Sequence, residues 1–260
     1  MVERIELSVV IPVYRNRETV GELYQRLAQV LEKLVSSWEL VFVNDGCPAG
    51  SGEVLHAVSE KDPRVRVVDL HCNQGQLFAV REGLKRCRGQ WVVVMDADLQ
   101  DLPEAIPLLW QARKASGERN VVFGSRKGRY QGSLRMLWSR AFKMVLWGIT
   151  GLPPSAGSFC LLPGEVGRTL VTLDVPVPHV GTMVAALGIP FTMVSVVRAK
   201  RPLGRSAYSF WRRCRLALGV LRTALVVRRW RQSAPWKLRE ARYASESAAE
   251  NPPCKEFLEG

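Results

Sequence analysis

Three carboxylates stand together in Asp96-Ala97-Asp98-Leu99-Gln100-Asp101, directly after the apolar run Trp91-Val92-Val93-Val94-Met95. A fully apolar run bounded by polar residues reads as a buried strand of a parallel sheet. Ligands of open parallel sheets gather outside the carboxyl ends of such strands. Two carboxylates one residue apart suit a hard cation such as Mg2+, which prefers oxygen and often takes one or two protein carboxylates plus substrate phosphates. Taken alone, the pair is weak evidence for a metal site, because strand-end aspartates often just cap the next helix.

Three more polar stretches close apolar runs. Pro12-Val13-Tyr14 ends the first, Asn44-Asp45-Gly46 the second, and Asn73-Gln74-Gly75 follows the third. If the strands are parallel, all four ends line one sheet edge. Tyr14 then flanks a flat base, Asp45 accepts a hydrogen bond from base or ribose, and Asp96 and Asp98 serve ribose, metal and diphosphate. Asn44-Asp45-Gly46 and Asn73-Gln74-Gly75 are each also ordinary turn formers; four such ends in succession describe a nucleotide pocket. No G-x-G-x-x-G follows the first strand and no G-x-x-x-x-G-K-[ST] occurs, which excludes the dinucleotide and P-loop cradles and leaves phosphate to a metal and basic side chains.

The elements that must hold these residues follow from periodicity. Short β-rich runs at 7–13, 38–43, 65–70, 91–95 and 120–124 alternate with helical patterns, the signature of an α/β fold with a mainly parallel central sheet and helices on both faces. Segment 17–35 spaces Val20, Leu23, Leu27, Val30, Leu31 and Leu34 as a helix, and 76–87 and 104–115 form two more, with Pro103 in a first turn. Segment 134–149 is a strongly apolar helix, core or interfacial, stopped by Gly151-Leu152-Pro153-Pro154. A last helix over 207–231 lines up Trp211, Cys214, Leu218, Leu221 and Leu225 on one side. Three units are expected: a catalytic domain at 1–205, a basic amphipathic helix at 206–231 and a flexible tail at 232–260.

The net charge of +13 is concentrated, because 198–242 holds fourteen Lys or Arg against one Glu. Arg212, Arg213, Arg215, Arg222, Arg228 and Arg229, with Trp211 and Trp230, suggest an in-plane anchor on an anionic membrane surface. Nucleic acid is the rival partner for such a stretch. It is not expected here, because the arginines alternate with bulky aliphatics. The six cysteines, at 47, 72, 87, 160, 214 and 254, lack metal or scaffold spacing and read as reduced thiols. An acid-bearing start that enters a strand directly argues against a signal peptide, and no apolar run reaches the roughly 20 residues of a spanning helix. A cytoplasmic protein on the inner membrane face, without a transmembrane helix, is expected. His56, His71 and His179 have no metal or triad spacing and read as ordinary residues.

Ser8-Val9-Val10-Ile11-Pro12-Val13-Tyr14, Val43-Asn44-Asp45-Gly46, Asn73-Gln74-Gly75 and Met95-Asp96-Ala97-Asp98-Leu99-Gln100-Asp101-Leu102-Pro103 resemble the inverting family 2 glycosyltransferases of GT-A fold. The likeness is greatest to the polyprenyl-phosphate group, which includes dolichol-phosphate mannose synthases and undecaprenyl-phosphate sugar transferases. It covers about residues 7–210. It implies a nucleotide-diphosphate sugar donor bound by Pro12, Tyr14, Asp45, Asn73, Gly75 and Asp96. Asp98 becomes the primary ligand of Mg2+ or Mn2+, Asp96 its partner, and Gln100 a neighbour of metal and sugar phosphates. Gly124-Ser125-Arg126 matches the family's Gly-Ser-Arg, and Arg126, Arg135 and Ser139 are assigned to the phosphate of a polyprenyl-phosphate acceptor. Arg201-Pro202-Leu203-Gly204-Arg205-Ser206-Ala207-Tyr208 is similar to a loop that closes over the donor, with Arg201 and Ser206 on the nucleotide sugar and Ala207 replacing the usual Lys.

One departure bears on the acceptor. The family's Asp-x-Gly-[Asp or Ser]-Phe-Arg stretch reads Ser155-Ala156-Gly157-Ser158-Phe159-Cys160 here, without carboxylate or arginine. Losing a general base for a sugar hydroxyl costs about 100-fold or more. A phosphate, with a second pKa of about 6, is already nucleophilic at neutral pH. The stretch therefore favours a phosphate acceptor, or else a slow or inactive enzyme. The expected chemistry is in-line displacement at the anomeric carbon with Asp96, Asp98, Gln100 and Arg126 as the catalytic group. Transfer to a saccharide in cell-surface polysaccharide synthesis and a non-catalytic membrane-associated scaffold are the alternatives. A hydrolase is disfavoured, because carboxylates on one loop cannot flank a bond.

Overall fold

Strand β1 (Leu7–Val13) is buried at every position, with Leu7, Val9, Ile11 and Val13 in one apolar cluster and Val10 in the other. Successive side chains of a strand point to opposite faces, so a strand with no polar break must be covered on both. The computed structural model describes residues 4–116, 120–126, 134–199 and 210–233, and it places helices on both sides. Helix α1 (Arg17–Leu34) buries Val20, Leu23, Leu27 and Leu31 on the first face, beside α4 (Ile106–Ser116), while Leu55 of α2 (Ser51–Ser59) joins the same cluster. The opposite face is covered by α3 (Gln76–Arg86), α5 (Leu134–Thr150), α6 (Gly164–Thr172), α7 (Val180–Leu187) and α8 (Phe210–Ser233).

The remaining strands are β2 (Trp38–Asp45), β3 (Val65–Leu70), β4 (Trp91–Val94), β5 (Val121–Arg126), β6 (Ala156–Pro163) and β7 (Phe191–Val196). They form a seven-stranded sheet ordered β3-β2-β1-β4-β6-β5-β7. The first four of these neighbours are mutually parallel and β5 is parallel to β7, while β6 runs antiparallel to both β4 and β5. The expected mainly parallel α/β sheet is what forms. Strands β6 and β7 go beyond the runs singled out in the sequence, and β6 decides the site. Its reversed direction, with Val94 opposite Cys160, carries its N-terminal half to the edge where β1, β2 and β4 end.

Helix α8 turns Val220, Thr223, Ala224 and Val227 to the body and leaves Cys214, Leu218 and Leu225 exposed. Small residues allow closer approach. A Cβ on Gly219 would lie 2.5 Å from Val177 Cγ2, and the Thr223 hydroxyl bonds both Val177 N, at 3.0 Å, and Val177 O, at 2.9 Å. Helix α8 is therefore docked on the segment leading into α7. The reading of all six cysteines as reduced is corrected. Cys47, Cys87, Cys160 and Cys214 are free, but Cys72 is disulfide-bonded; linear spacing does not report which cysteines the fold brings into bonding distance. Among the described residues no helix is long and apolar enough to cross a membrane.

Candidate active site

The ends of β1, β2, β3 and β4 meet, as parallel pairing requires: Val13 lies opposite Asn44, Asp45 opposite Leu70 and Val10 opposite Val94. Beyond Met95 the chain leaves the sheet as the Asp96–Asp101 turn. Asp96, Asp98 and Gln100 are half-buried, between the apolar anchors Ala97 and Leu99. Asp96 accepts hydrogen bonds from Gln76 Nε2 and, at 3.3 Å, from Ser158 Oγ. The first donor opens α3 and the second sits in β6, so two elements aim one carboxylate. Asp98 Oδ1 accepts the Gln100 amide at 3.1 Å across Leu99, which takes a left-handed φ of 57°. The turn is tied to α1 through Thr19 Oγ1, which donates to Ala97 O at 2.9 Å.

Its far end is held by the chain leaving β7. Ala199 N donates to Gln100 O at 2.9 Å, Asp101 and Arg198 form a β-bridge, and Arg198 Nε lies 3.3 Å from Asp101 Oδ1 with both side chains largely buried. Val197, between these pinned residues and β7, is exposed.

Asp45 is buried, and its two oxygens accept the amides of Gln74, at 2.7 Å, and Gly75, at 2.9 Å. It orders the Asn73-Gln74-Gly75 loop, and a ligand at this edge meets that ordered loop. Gly46 makes the arrangement possible, since a Cβ there would sit 2.4 Å from the Cys72 carbonyl carbon and its φ is 56°. Only glycine tolerates both constraints. Asn44 braces the same corner, donating to Asp69 Oδ1 at 2.8 Å and accepting the Cys47 amide at 3.2 Å. Tyr14 is half-buried with the Arg15 guanidinium 5.3 Å from its ring centroid, and Arg15 N and Asn16 N bond Cys47 Sγ and Ser51 Oγ. Burial works against ionisation of the Cys47 thiol, but the Ser51 hydroxyl and the Ala49 and Arg15 amides outweigh it and hold its pKa below the ordinary value. Pro12 is buried in β1 opposite Val43.

The structure thus brings Tyr14, Asp45, Asn73, Gly75, Asp96, Asp98 and Gln100 to one edge. Arg126 is the last residue of β5, opposite Val196, and Arg135 and Ser139 fall in the first half of α5; the side chains of these three lie outside those described. Arg201 and Ser206 lie outside the described residues altogether, as do the 205/206 boundary and the 232–260 segment. Sequence reasoning missed Gln76, Ser158, Thr19 and the Asp101–Arg198 pair. Gln76 directly follows Asn73-Gln74-Gly75 and was within reach of it, whereas Ser158 required the β4–β6 register.

The carboxylate chemistry suits a divalent cation. Among the described residues no cluster of three or more His, Cys, Asp or Glu exists. A Mg2+ or Mn2+ at this edge would have Asp98 and Asp96 as its protein carboxylates and would take its remaining oxygens from a ligand. In β6, Cys160 is fully buried and burial pushes its thiol up to about 12, so at the family's arginine position the side chain is neutral and inert.

The model for glycosyl transferase family 2 matches residues 8–164. The chain is a family 2 glycosyltransferase. It is 33% identical over 226 residues to the uncharacterized glycosyltransferase YkcC of Bacillus subtilis, covering 86% of this chain and 69% of that one. It is 32% identical over 220 residues to the undecaprenyl-phosphate 4-deoxy-4-formamido-L-arabinose transferase of Pseudomonas fluorescens, covering 83% and 63% respectively. The glycosyltransferase thus spans about two thirds of the length of these relatives. Its fold is GT-A. The glucosyl-3-phosphoglycerate synthase of Mycobacterium tuberculosis, solved with Mn2+, UDP and glucosyl-3-phosphoglycerate, superposes with a TM-score of 0.61 at 20% identity, covering 86% of this chain and 80% of that one.

Proposed function

We propose that this glycosyltransferase moves a sugar from a nucleotide-diphosphate donor to a polyprenyl phosphate, with inversion, while peripherally bound to an anionic membrane face through the 206–231 helix. The observation that carries the donor half is the Asp96–Asp101 turn, whose two half-buried carboxylates are aimed from α3, β6 and its own backbone at the edge where four strand ends meet. Held by Asp98 with Asp96 beside it, Mg2+ or Mn2+ supplies charge neutralisation to a leaving diphosphate; Mn2+ and UDP in the mycobacterial neighbour support that assignment.

The protein's own part is positioning and fixed charge. Asp45 presents the Asn73-Gln74-Gly75 backbone toward the nucleotide, Tyr14 flanks the base, and Gln100 stands beside the sugar phosphates. Arg126, Arg135 and Ser139 orient the acceptor phosphate, and Arg201 and Ser206 contact the donor. The acceptor half draws support from the names of the arabinose transferase relatives and from β6. Ser155 and Cys160 provide neither base nor cation, and a phosphate nucleophile needs no base at neutral pH.

The test is transfer of radiolabelled sugar from UDP-, GDP- and dTDP-sugars into an organic-extractable product with undecaprenyl phosphate and Mn2+. Label should enter the organic phase with one donor class, and Asp98→Asn should lower the rate about 100-fold or more without changing the melting temperature appreciably. Equal rates in the two proteins would remove the proposal.

A further inference from the structure

The first loop of the donor edge is held from outside itself. Among the described residues, two that are not glycine take a left-handed φ: Leu99 of the carboxylate turn, and Arg15, at 58°, between β1 and α1. A residue with a Cβ is disfavoured in that conformation and stays there only where its surroundings hold it. Leu99 is spanned by the Asp98–Gln100 bond of its own turn. Within the Arg15 turn the corresponding bond, from Tyr14 N to Asn16 Oδ1, is 3.4 Å long and weak at that length.

The missing support comes from the segment after β2. Arg15 N donates to Cys47 Sγ at 3.1 Å and Asn16 N to Ser51 Oγ at 3.2 Å, so both amides of the turn end on side chains 32 and 35 residues away. These two acceptors are themselves joined, the Cys47 thiol donating to Ser51 Oγ at 3.2 Å, and Cys47 Sγ also takes the Ala49 amide at 3.4 Å. One sulfur thus gathers two backbone amides and a hydroxyl from two loops. It is well anchored for that purpose, because the Cys47 amide donates to Asn44 Oδ1 at 3.2 Å and Ser51 is fully buried at the start of α2. Tyr14 leads directly into the clamped turn, and the Arg15 guanidinium lies 5.3 Å from its ring centroid.

We infer that Cys47 is a positioning residue for the donor nucleotide: its sulfur clamps Arg15 in the left-handed conformation and so fixes Tyr14 and the Arg15 guanidinium at the donor edge. This rests on the reading of Tyr14 as the residue that flanks the base, and deepens it. The thiol acts through the turn and not on the nucleotide. A loop already in its binding conformation spares the ordering cost that association would otherwise carry, so losing the clamp weakens donor affinity and leaves the chemical step alone. A hydroxyl at position 47 can accept the same amides, whereas a methyl group accepts none. The two substitutions therefore separate the clamp from the bulk of the side chain.

The experiment compares the full chain as wild type, Cys47→Ala and Cys47→Ser. Amide hydrogen exchange without ligand reads the clamp: Cys47→Ala should speed exchange at Arg15 and Asn16 about tenfold, with β1 and β2 as protected as in wild type, and Cys47→Ser should restore most of the protection. Calorimetry with Mn2+ and UDP, GDP or dTDP reads the consequence. The Kd of the nucleotide that wild type binds should rise about tenfold in Cys47→Ala and about threefold or less in Cys47→Ser, and donor KM should rise with it while kcat stays within about twofold. Unchanged exchange at Arg15 in Cys47→Ala would overturn the clamp. Faster exchange with unchanged nucleotide affinity would overturn the positioning role, as would a loss of protection spread through β1 and β2. Failure of wild type to bind any of the three nucleotides would sink the donor reading and the nucleotide role with it, while the exchange rates still decide the clamp.

Discussion

Asp96 shows how elements far apart in sequence orient this site. Its carboxylate is held by one amide from α3 and one hydroxyl from β6, and a hydrogen bond to a charged group contributes about 1.5 kcal/mol, or roughly tenfold in rate. Gln76→Ala should therefore lower kcat/KM about tenfold with little change in melting temperature, since the side chain is half-buried at a helix start; steady-state kinetics beside thermal denaturation checks it. The Asp101–Arg198 pair differs because it is buried. Removing one partner of a buried pair costs about 3–5 kcal/mol, so Asp101→Ala should lower the melting temperature by many degrees. Arg198→Lys, which keeps the charge, should spare most of the stability yet raise the donor KM through Gln100. Asp96 and Asp98 were legible in the sequence because an apolar strand must end where polar residues begin. Ser158 and Arg198 were not, because their partners lie 62 and 97 residues away and only the strand register brings them together.

Among the elements, α7 carries a built-in pH sensitivity. His179 caps its N-terminus, with Nδ1 accepting the Thr182 amide at 3.1 Å and the Thr182 hydroxyl 2.8 Å away. Burial, and secondarily the Lys143 charge, pushes its pKa down to about 4. The unfolded chain takes up this proton near the ordinary value of about 6.5 and the folded chain only near 4. Between those values the unfolded state binds more protons, so the contribution is present above about 6.5 and is lost as pH falls through that window. Denaturant midpoints from pH 7.5 to 4.5 should fall more steeply for wild type than for His179→Asn, and parallel slopes would contradict the cap assignment. Helices α1, α3 and α4 were legible from apolar spacing. The side on which α8 meets the body was not, because it is set by the close approach that Gly219, Thr223 and Ala224 permit at Val177.

At the scale of the molecule, a neutral catalytic body is joined to a cationic face, and the two are parts of one packed unit. Apolar clusters on both faces of a single sheet tie α8 to the strands that bear the carboxylates. Net charge alone points to an anionic partner, and the packed position of α8 shows which of its arginines are exposed, Arg215, Arg222, Arg228 and Arg229 among them. The sheet's parallel half follows from the sequence pattern. The inserted antiparallel β6 escapes it because Ala156, Gly157 and Ser158 give its opening little apolar signal, although Ser158 is the residue brought to Asp96.

The central claim is that a divalent cation on Asp98 links the protein to a nucleotide diphosphate. Titration calorimetry of UDP, GDP and dTDP with Mn2+ or with EDTA, on wild type and Asp98→Asn, tests it most directly. One nucleotide should bind wild type only when Mn2+ is present, and Asp98→Asn should weaken that binding about 100-fold. Binding of equal strength in EDTA, or in the variant with Mn2+, would contradict it.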